Sequence, residues 1–438
     1  MTDPTSRPVM LLLRNSGFFK LLAYRFQVVL AYQIIATVAG WHIYQLTHDW
    51  PIDARLVALG SLGLAEVIPY FCCALFAGHW VDRHSRRMFG VLACVAVSCN
   101  ALLLLAAANG WLPGNEVTWI YAAIALGGVA RAFLGPTYTA LFALALPREQ
   151  YTRGAGLGSS IFQTGLVLGP VLGGVLLSAK IRLYLMHSIP ALGGILASWH
   201  EPALAYAVAA MLGISAAISL FSLRLKEPPP TQGEPVFSSI VAGLRFVFAN
   251  QILIGAQALD MFAVLFGGAV SMLPVFIDTV YHTSPESLGI LRAAPAIGAI
   301  ATGIMLAHRP PSRHAGRLLL CAVAGFGACI ILFALTPYFW GAALLLLLSG
   351  VCDGVSVVMR TTIMQLLTPD HMRGRVSAIN GIFIGSSNEL GAYESGKVAG
   401  LMGLIPSVIF GGAMSILIVG ITAKFAPKLR RLDLRELQ

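Results

Sequence analysis

Apolar runs of about twenty residues recur from one end of this chain to the other, with only short polar breaks between them. Residues 91–108 and 342–350 are apolar at odd and even positions alike. A helix needs about 20 such residues to cross a bilayer, whereas a membrane barrel is built from alternating segments of about 10. The runs therefore predict an all-α membrane protein. Composition agrees: of 438 residues, 57% are hydrophobic and 11% charged, against about 25% charged in soluble domains. So few charges cannot clothe a water-facing surface, which excludes a soluble enzyme and a disordered chain. The net charge of +10 is spread thinly instead of forming a patch, so no nucleic-acid partner is expected.

Twelve spans are predicted, at 22–47, 55–79, 88–109, 118–146, 155–178, 203–223, 252–280, 286–307, 316–336, 339–366, 376–400 and 405–424. The polar stretch before the first lacks a cleavage signature, so no leader is expected and the first span stays. Of the 29 Lys and Arg residues, 21 fall in segments on the N-terminal side of the membrane and 3 on the other. Basic residues accumulate in cytoplasmic loops, so both termini are expected in the cytoplasm of a bacterial inner membrane. All seven cysteines lie within spans and read as packing residues.

The connector 224–234, RLKEPPPTQGE, is the most polar long break and divides six spans from six. It sets domains at 1–223 and 252–438, joined by 224–251. Val236, Ile240, Leu244, Val247 and Phe248 follow at helical spacing, predicting a short amphipathic helix on the cytoplasmic surface. The halves read as repeats. A shift of 235 lays Asn15 on Asn250; a shift of 222 lays Gly128 on Gly350, Gly169 on Gly391 and Gly174 on Gly396. Two six-helix repeats about an axis along the membrane normal are a transporter architecture. The outer loop 180–202 contains an apolar, Gly-rich piece too short to span, read as re-entrant or interfacial.

Three motifs follow. The loop after span two reads Gly78-His-Trp-Val-Asp82-Arg83-His-Ser-Arg86-Arg87; span four has Arg131 with Gly135 four residues on; span five carries Gly156, Gly165, Gly169-Pro170 and Gly173-Gly174. Together they resemble the major facilitator superfamily over essentially the whole chain. Span five resembles its antiporter motif, and residues 373–391 resemble the enterobactin-exporter and macrolide-efflux branch. Ser85 stands where that family's loop has glycine, and Leu134 where span four has glutamine. The resemblance implies twelve helices in two pseudo-symmetric six-helix bundles, a cavity lined by spans one, four, seven and ten, and export of small molecules. Physically, glycines three and four apart share one helix face and let another backbone approach. Pro170 removes a donor and favours a bend. Asp82 among Arg83, Arg86 and Arg87 suits an ion-pair latch.

Charges within spans are costly and mark function by default. They are Arg25, Glu66, Arg131, Asp260, Arg292, Asp353, Arg360, Glu389, Glu394 and Lys397. The repeat shifts lay Arg25 on Asp260 and Arg131 on Asp353, which gives a cavity positive on one wall and negative on the other. Static pairing is the competing reading, with Arg131 the expected counterpart of Asp353. Low dielectric disfavours an ionised carboxylate, the property that proton coupling requires. Asp353, Asn388-Glu389, Glu394 and Glu66 are the candidates, unless Arg360 or Lys397 holds the acids of span eleven ionised. No metal site, nucleotide loop or catalytic elbow is found: residues 391–397 have P-loop spacing, but Val398 replaces the hydroxyl residue and the stretch lies inside a span. The expectation is a monomeric secondary transporter in the lipid bilayer with no cofactor, exporting amphipathic small molecules such as drugs or siderophores against protons. An importer on the same fold, or a membrane receptor, are the alternatives.

Overall fold

The computed structural model describes residues 15–147, 150–225, 236–308, 314–369 and 372–433, so most of the connector 224–234 lies outside them. Every long apolar run is a helix. In order these are α1 (Ser16–Leu46), α2 (Ile52–Arg83), α3 (Arg86–Ala108), α4 (Glu116–Ala145), α5 (Tyr151–Leu176), α6 (Ala179–Ser188), α7 (Pro190–Ser198) and α8 (Ala203–Phe221). Then come α9 (Val236–Ala249), α10 (Gln251–Phe266), a 3-10 turn (Gly268–Met272) and α11 (Leu273–Thr279). The last are α12 (Glu286–His308), α13 (Ala315–Leu335), α14 (Phe339–Leu367), α15 (Arg373–Met402), α16 (Leu404–Phe425) and α17 (Pro427–Arg430). Among the described residues, eleven segments are long and apolar enough to cross a membrane. The predicted span outside that set is 376–400. It is a continuous 30-residue helix, α15, about 45 Å long at 1.5 Å per residue, and its polar residues lower its hydropathy without shortening it. The twelve-helix reading holds.

Span seven departs from the expected continuous helix. It breaks at Gly267-Gly268 and resumes as α11 with Pro274 at its start. The break lies where neighbouring backbones come close. A Cβ at Gly268 would lie 2.6 Å from the Gly391 carbonyl oxygen, and one at Gly411 2.0 Å from that of Phe266.

The helix ends repeat as the shift of 235 implied. The Asn15 side chain accepts from the Gly17 and Phe18 amides at 3.1 and 3.2 Å and starts α1. Asn250 accepts from Ile252 and Leu253 at 3.0 and 3.3 Å and starts α10. Each side chain satisfies donors that a helix start leaves unpaired. Asn250 also ends α9 as a separate helix. Val247 of α9 is buried in a core with Leu253, Ala256 and Leu429, while Phe248 is exposed.

The residues fall into two compact units, Met1–His42 with Ile68–Gly233, and Ile43–Val67 with Glu234–Gln438. In the first, Phe18, Leu21, Tyr24 and Val28 of α1 pack with Leu141, Ala216 and Leu220. The outer loop forms two short helices, α6 and α7. The Arg182 guanidinium donates to the Leu196 and Trp199 carbonyls that end α7.

Candidate functional site

In the first unit, the span-five glycines meet α1 in step. A Cβ at Gly165 would lie 2.7 Å from Val29 Cγ1, one at Gly169 2.4 Å from Gln33 Cβ, and one at Gly173 3.1 Å from Thr37 Cβ. Both rows advance by four residues, so a stripe without side chains on α5 receives a row of side chains on α1. Pro170 and Gly174 are buried on the same helix. The second unit repeats the arrangement at the residue laid on Gly169: a Cβ at Gly391 of α15 would lie 2.7 Å from the Leu265 carbonyl oxygen of α10.

The loop motif is divided in its roles. Ser85 accepts from the Met88 amide at 3.3 Å and caps α3, so serine in place of glycine starts a helix here. Arg87 donates to the Leu223 carbonyl at 2.9 Å and Lys20 to that of Ser222 at 3.0 Å. Both cations meet the carbonyl end of α8, where positive charge is favoured. Arg83 is exposed and Arg86 half-buried, and the space beside Gly78 is open. The Asp82 side chain lies outside the described residues, and the latch with it.

The first unit's two membrane arginines lie on aromatic rings. The Arg25 guanidinium is 3.9 Å from the Tyr138 ring centroid and 5.0 Å from that of Phe162. Arg131 lies 5.4 and 5.2 Å from the rings of Tyr32 and Tyr70 and reaches the Tyr32 hydroxyl at 3.5 Å.

The second unit holds the acids. Asp260 of α10 and Arg360 of α14 form an ion pair, both nearly inaccessible. Asp353, two turns before Arg360, lines a small cavity with Asp260, Ser356 and Phe326. Among the described residues no hydrogen bond or ion pair engages it. Within its own unit, Arg131 rests among tyrosines. Arg360 pairs with Asp260, not with the acids of α15. A second cluster joins three helices. The carboxylates of Glu389 (α15) and Glu66 (α2) both act on the Arg292 guanidinium of α12. There the backbones touch: a Cβ at Gly63 would lie 2.3 Å from the Glu389 carbonyl oxygen, and one at Gly60 2.8 Å from Gly396 Cα. Glu66 is buried and Glu389 half-buried. Asn388 donates to the Ile384 carbonyl at 2.9 Å on an exposed face, and Glu394 is half-buried beside Ser395.

Three features escaped the sequence reading. Arg292 was visible as a charge in a span, but its partners are distant in sequence. His42 is buried between the Tyr206 hydroxyl at 3.2 Å and Glu116 at 3.1 Å. Tyr44 donates to Asp278 at 2.6 Å, with Arg55 4.2 Å from its ring. The last two lie at span ends, where a polar residue is unremarkable until its partner is known.

Comparison with known proteins adds the following. A family model described as "Transmembrane secretion effector" matches residues 181–438, and one described as "Major Facilitator Superfamily" matches 21–186. The enterobactin exporter EntS of Citrobacter koseri is 27% identical over 422 residues, covering 94% of this chain and 92% of that protein. The protein of the same name from Shigella boydii is 26% identical with the same coverage. Among solved structures, a bacterial homologue of the lysosomal transporter Spinster aligns with a TM-score of 0.71 at 17% identity, covering 95% of this chain and 98% of that one. A D-xylose–proton symporter aligns with a TM-score of 0.72 at 12% identity, covering 95% and 99%. At such identities these structures share the fold.

Proposed function

The chain belongs to the major facilitator superfamily, a family of transporters and not of enzymes, and on that premise we propose that it is a proton-coupled exporter. Its substrates are amphipathic small molecules, drugs or siderophores, moved across the bacterial inner membrane by alternating access, with both termini in the cytoplasm. The observation that carries the reading is the end-to-end likeness to proteins named enterobactin exporters.

The geometry supports two parts of it. The first is the joint: the glycine stripe of α5 on α1 is a surface along which helices can shift without side chains interlocking. The second is the coupling site. There the Glu66 and Glu389 carboxylates and the Arg292 guanidinium interact across three helices. With no cofactor, the proton gradient supplies the energy. Glu389 is the coupling carboxylate in this account and Asp353, open to its small cavity, the second candidate. The protein works as a monomer.

Everted membrane vesicles test the reading with a panel of dyes, macrolides and catecholates, with and without a proton uncoupler. Accumulation of panel members that the uncoupler abolishes is the expected result. Accumulation indifferent to the uncoupler overturns proton coupling, and no accumulation of any member overturns the substrate class.

A further inference from the structure

Where α9 passes the junction of α14 and α15, the second unit holds an open groove of about 560 Å³. That is within the ~300–1,000 Å³ of small-molecule sites. Val241, Ala242, Phe246 and Ala249 line it from α9, and Pro369 and Met372 from the junction. Among the described residues, Arg245 is the one charged group in its wall.

Helical periodicity gives the groove its character. Residues 241, 245 and 249 recur every four and form one stripe of α9. Val247 lies on the other side, buried with Leu253 and Ala256 of α10. That contact fixes α9 and leaves the stripe uncovered: Val241, Arg245 and Ala249 are all exposed. An apolar surface left open beside a cation marks an interaction site for something amphipathic.

Its depth follows from the chain. Only Asn250 separates Ala249 from the start of α10. Pro369 comes two residues after α14 ends at Leu367, and Met372 immediately precedes α15. These helices carry the predicted spans seven, ten and eleven, so the groove sits where three of them leave the bilayer, at the level of the headgroups. A lipid reaches it without leaving the membrane. The charge suits an anion. Residues 236–250 and 367–376 contain Arg245, Arg373 and Arg375 against one acid, Asp370. The first turn of α15 has no acidic residue, and among the described residues no side chain caps it. Its free amides add to the positive field.

We propose that this groove is a binding site for an anionic phospholipid of the adjoining leaflet. An acyl chain lies along Val241, Phe246 and Met372, and the phosphate accepts a hydrogen bond from the Arg245 guanidinium, whose stem lies on the apolar wall. A zwitterionic lipid fits the same groove but brings a cationic group to the arginines and gains less. Such a site is independent of which molecules the protein transports.

Photolabelling tests it. The full-length protein is reconstituted into phosphatidylcholine vesicles containing a small fraction of phosphatidylglycerol or phosphatidylcholine, each bearing the same diazirine-tagged chain. Labelled residues are then mapped by peptide mass spectrometry. The expected result is labelling of residues 241–249 and 369–372 that is about fivefold stronger with the phosphatidylglycerol, the worth of one basic residue beside anionic lipid. Arg245→Gln should remove most of that preference. Lys428→Gln, which removes another exposed cation of the same unit, should leave it unchanged. Val241→Trp, which fills the groove and keeps its charge, should remove labelling there by either lipid. Labelling of the other spans reports that each variant is inserted. Equal labelling of the groove by the two lipids overturns the proposal, as does equal loss with Arg245→Gln and Lys428→Gln, which would mean a diffuse basic surface. So does a groove that neither lipid labels, as when the connector or a second copy of the chain fills it.

Discussion

Asp260 and Arg360 of the second unit are costly to separate. Both are nearly inaccessible, so removing one leaves the other charged with nothing to face. Asp260→Asn should lower stability by about 3–5 kcal/mol, the range for breaking a buried ion pair. Asp260→Asn combined with Arg360→Met should recover most of it, since the stranded charge is then gone. Thermal unfolding of the purified protein checks this, and additive losses in the double variant would contradict the pairing. Glu389 behaves differently. Glu389→Gln should remove dependence of transport on the pH gradient while substrate binding persists, and Asp353→Asn should do so only if Glu389 is not the coupling group. These residues were legible in the sequence as charges in apolar runs. Their partners were not. The repeat shifts matched Arg25 with Asp260 and Arg131 with Asp353, but a shift reports equivalent positions, and equivalence is not contact. Which way a side chain points depends on helix rotation, and the repeat carries no record of it.

Helices meet through their glycines, and that governs the next scale. Gly169→Leu should abolish transport while the protein still inserts, because even a Cβ there lies 2.4 Å from Gln33 Cβ; unchanged transport would remove the joint from the mechanism. A tight crossing in the second unit is α12 on α14, where a Cβ at Gly350 would lie 1.9 Å from the Pro295 carbonyl oxygen. Backbone cannot give way as a flexible side chain can, so Gly350→Ala should lower the melting temperature more than Gly303→Ala, whose surroundings are open. Equal shifts in calorimetry would contradict this. At the helix starts, Asn250→Ala should cost about 1 kcal/mol by loss of the cap. Most elements were readable from run length and apolarity. The break in span seven was not, because Gly267-Gly268 and Pro274 are tolerated inside many membrane helices; only the nearness of α15 and α16 makes the interruption necessary. Conversely α15, the least apolar span, was recognised by length despite its charges.

At the scale of the whole molecule the account is a transporter fold whose two units carry different charge in the membrane. The basic bias of one set of loops predicts that single cysteines placed in the 224–234 connector react with an impermeant reagent from the cytoplasmic side only. Reaction from outside in intact cells would reverse the topology. The central claim is that substrate leaves the cytoplasm in exchange for protons. It is tested most directly by reconstituting the protein into everted-orientation proteoliposomes with an acidic lumen and a pH-sensitive dye trapped inside. The account predicts that adding a transported substrate outside raises lumenal pH above the leak, that substrate accumulates in the lumen, and that Glu389→Gln abolishes the proton movement. Substrate entry with no change in lumenal pH, or entry that stops at equal concentrations whatever the gradient, would contradict it.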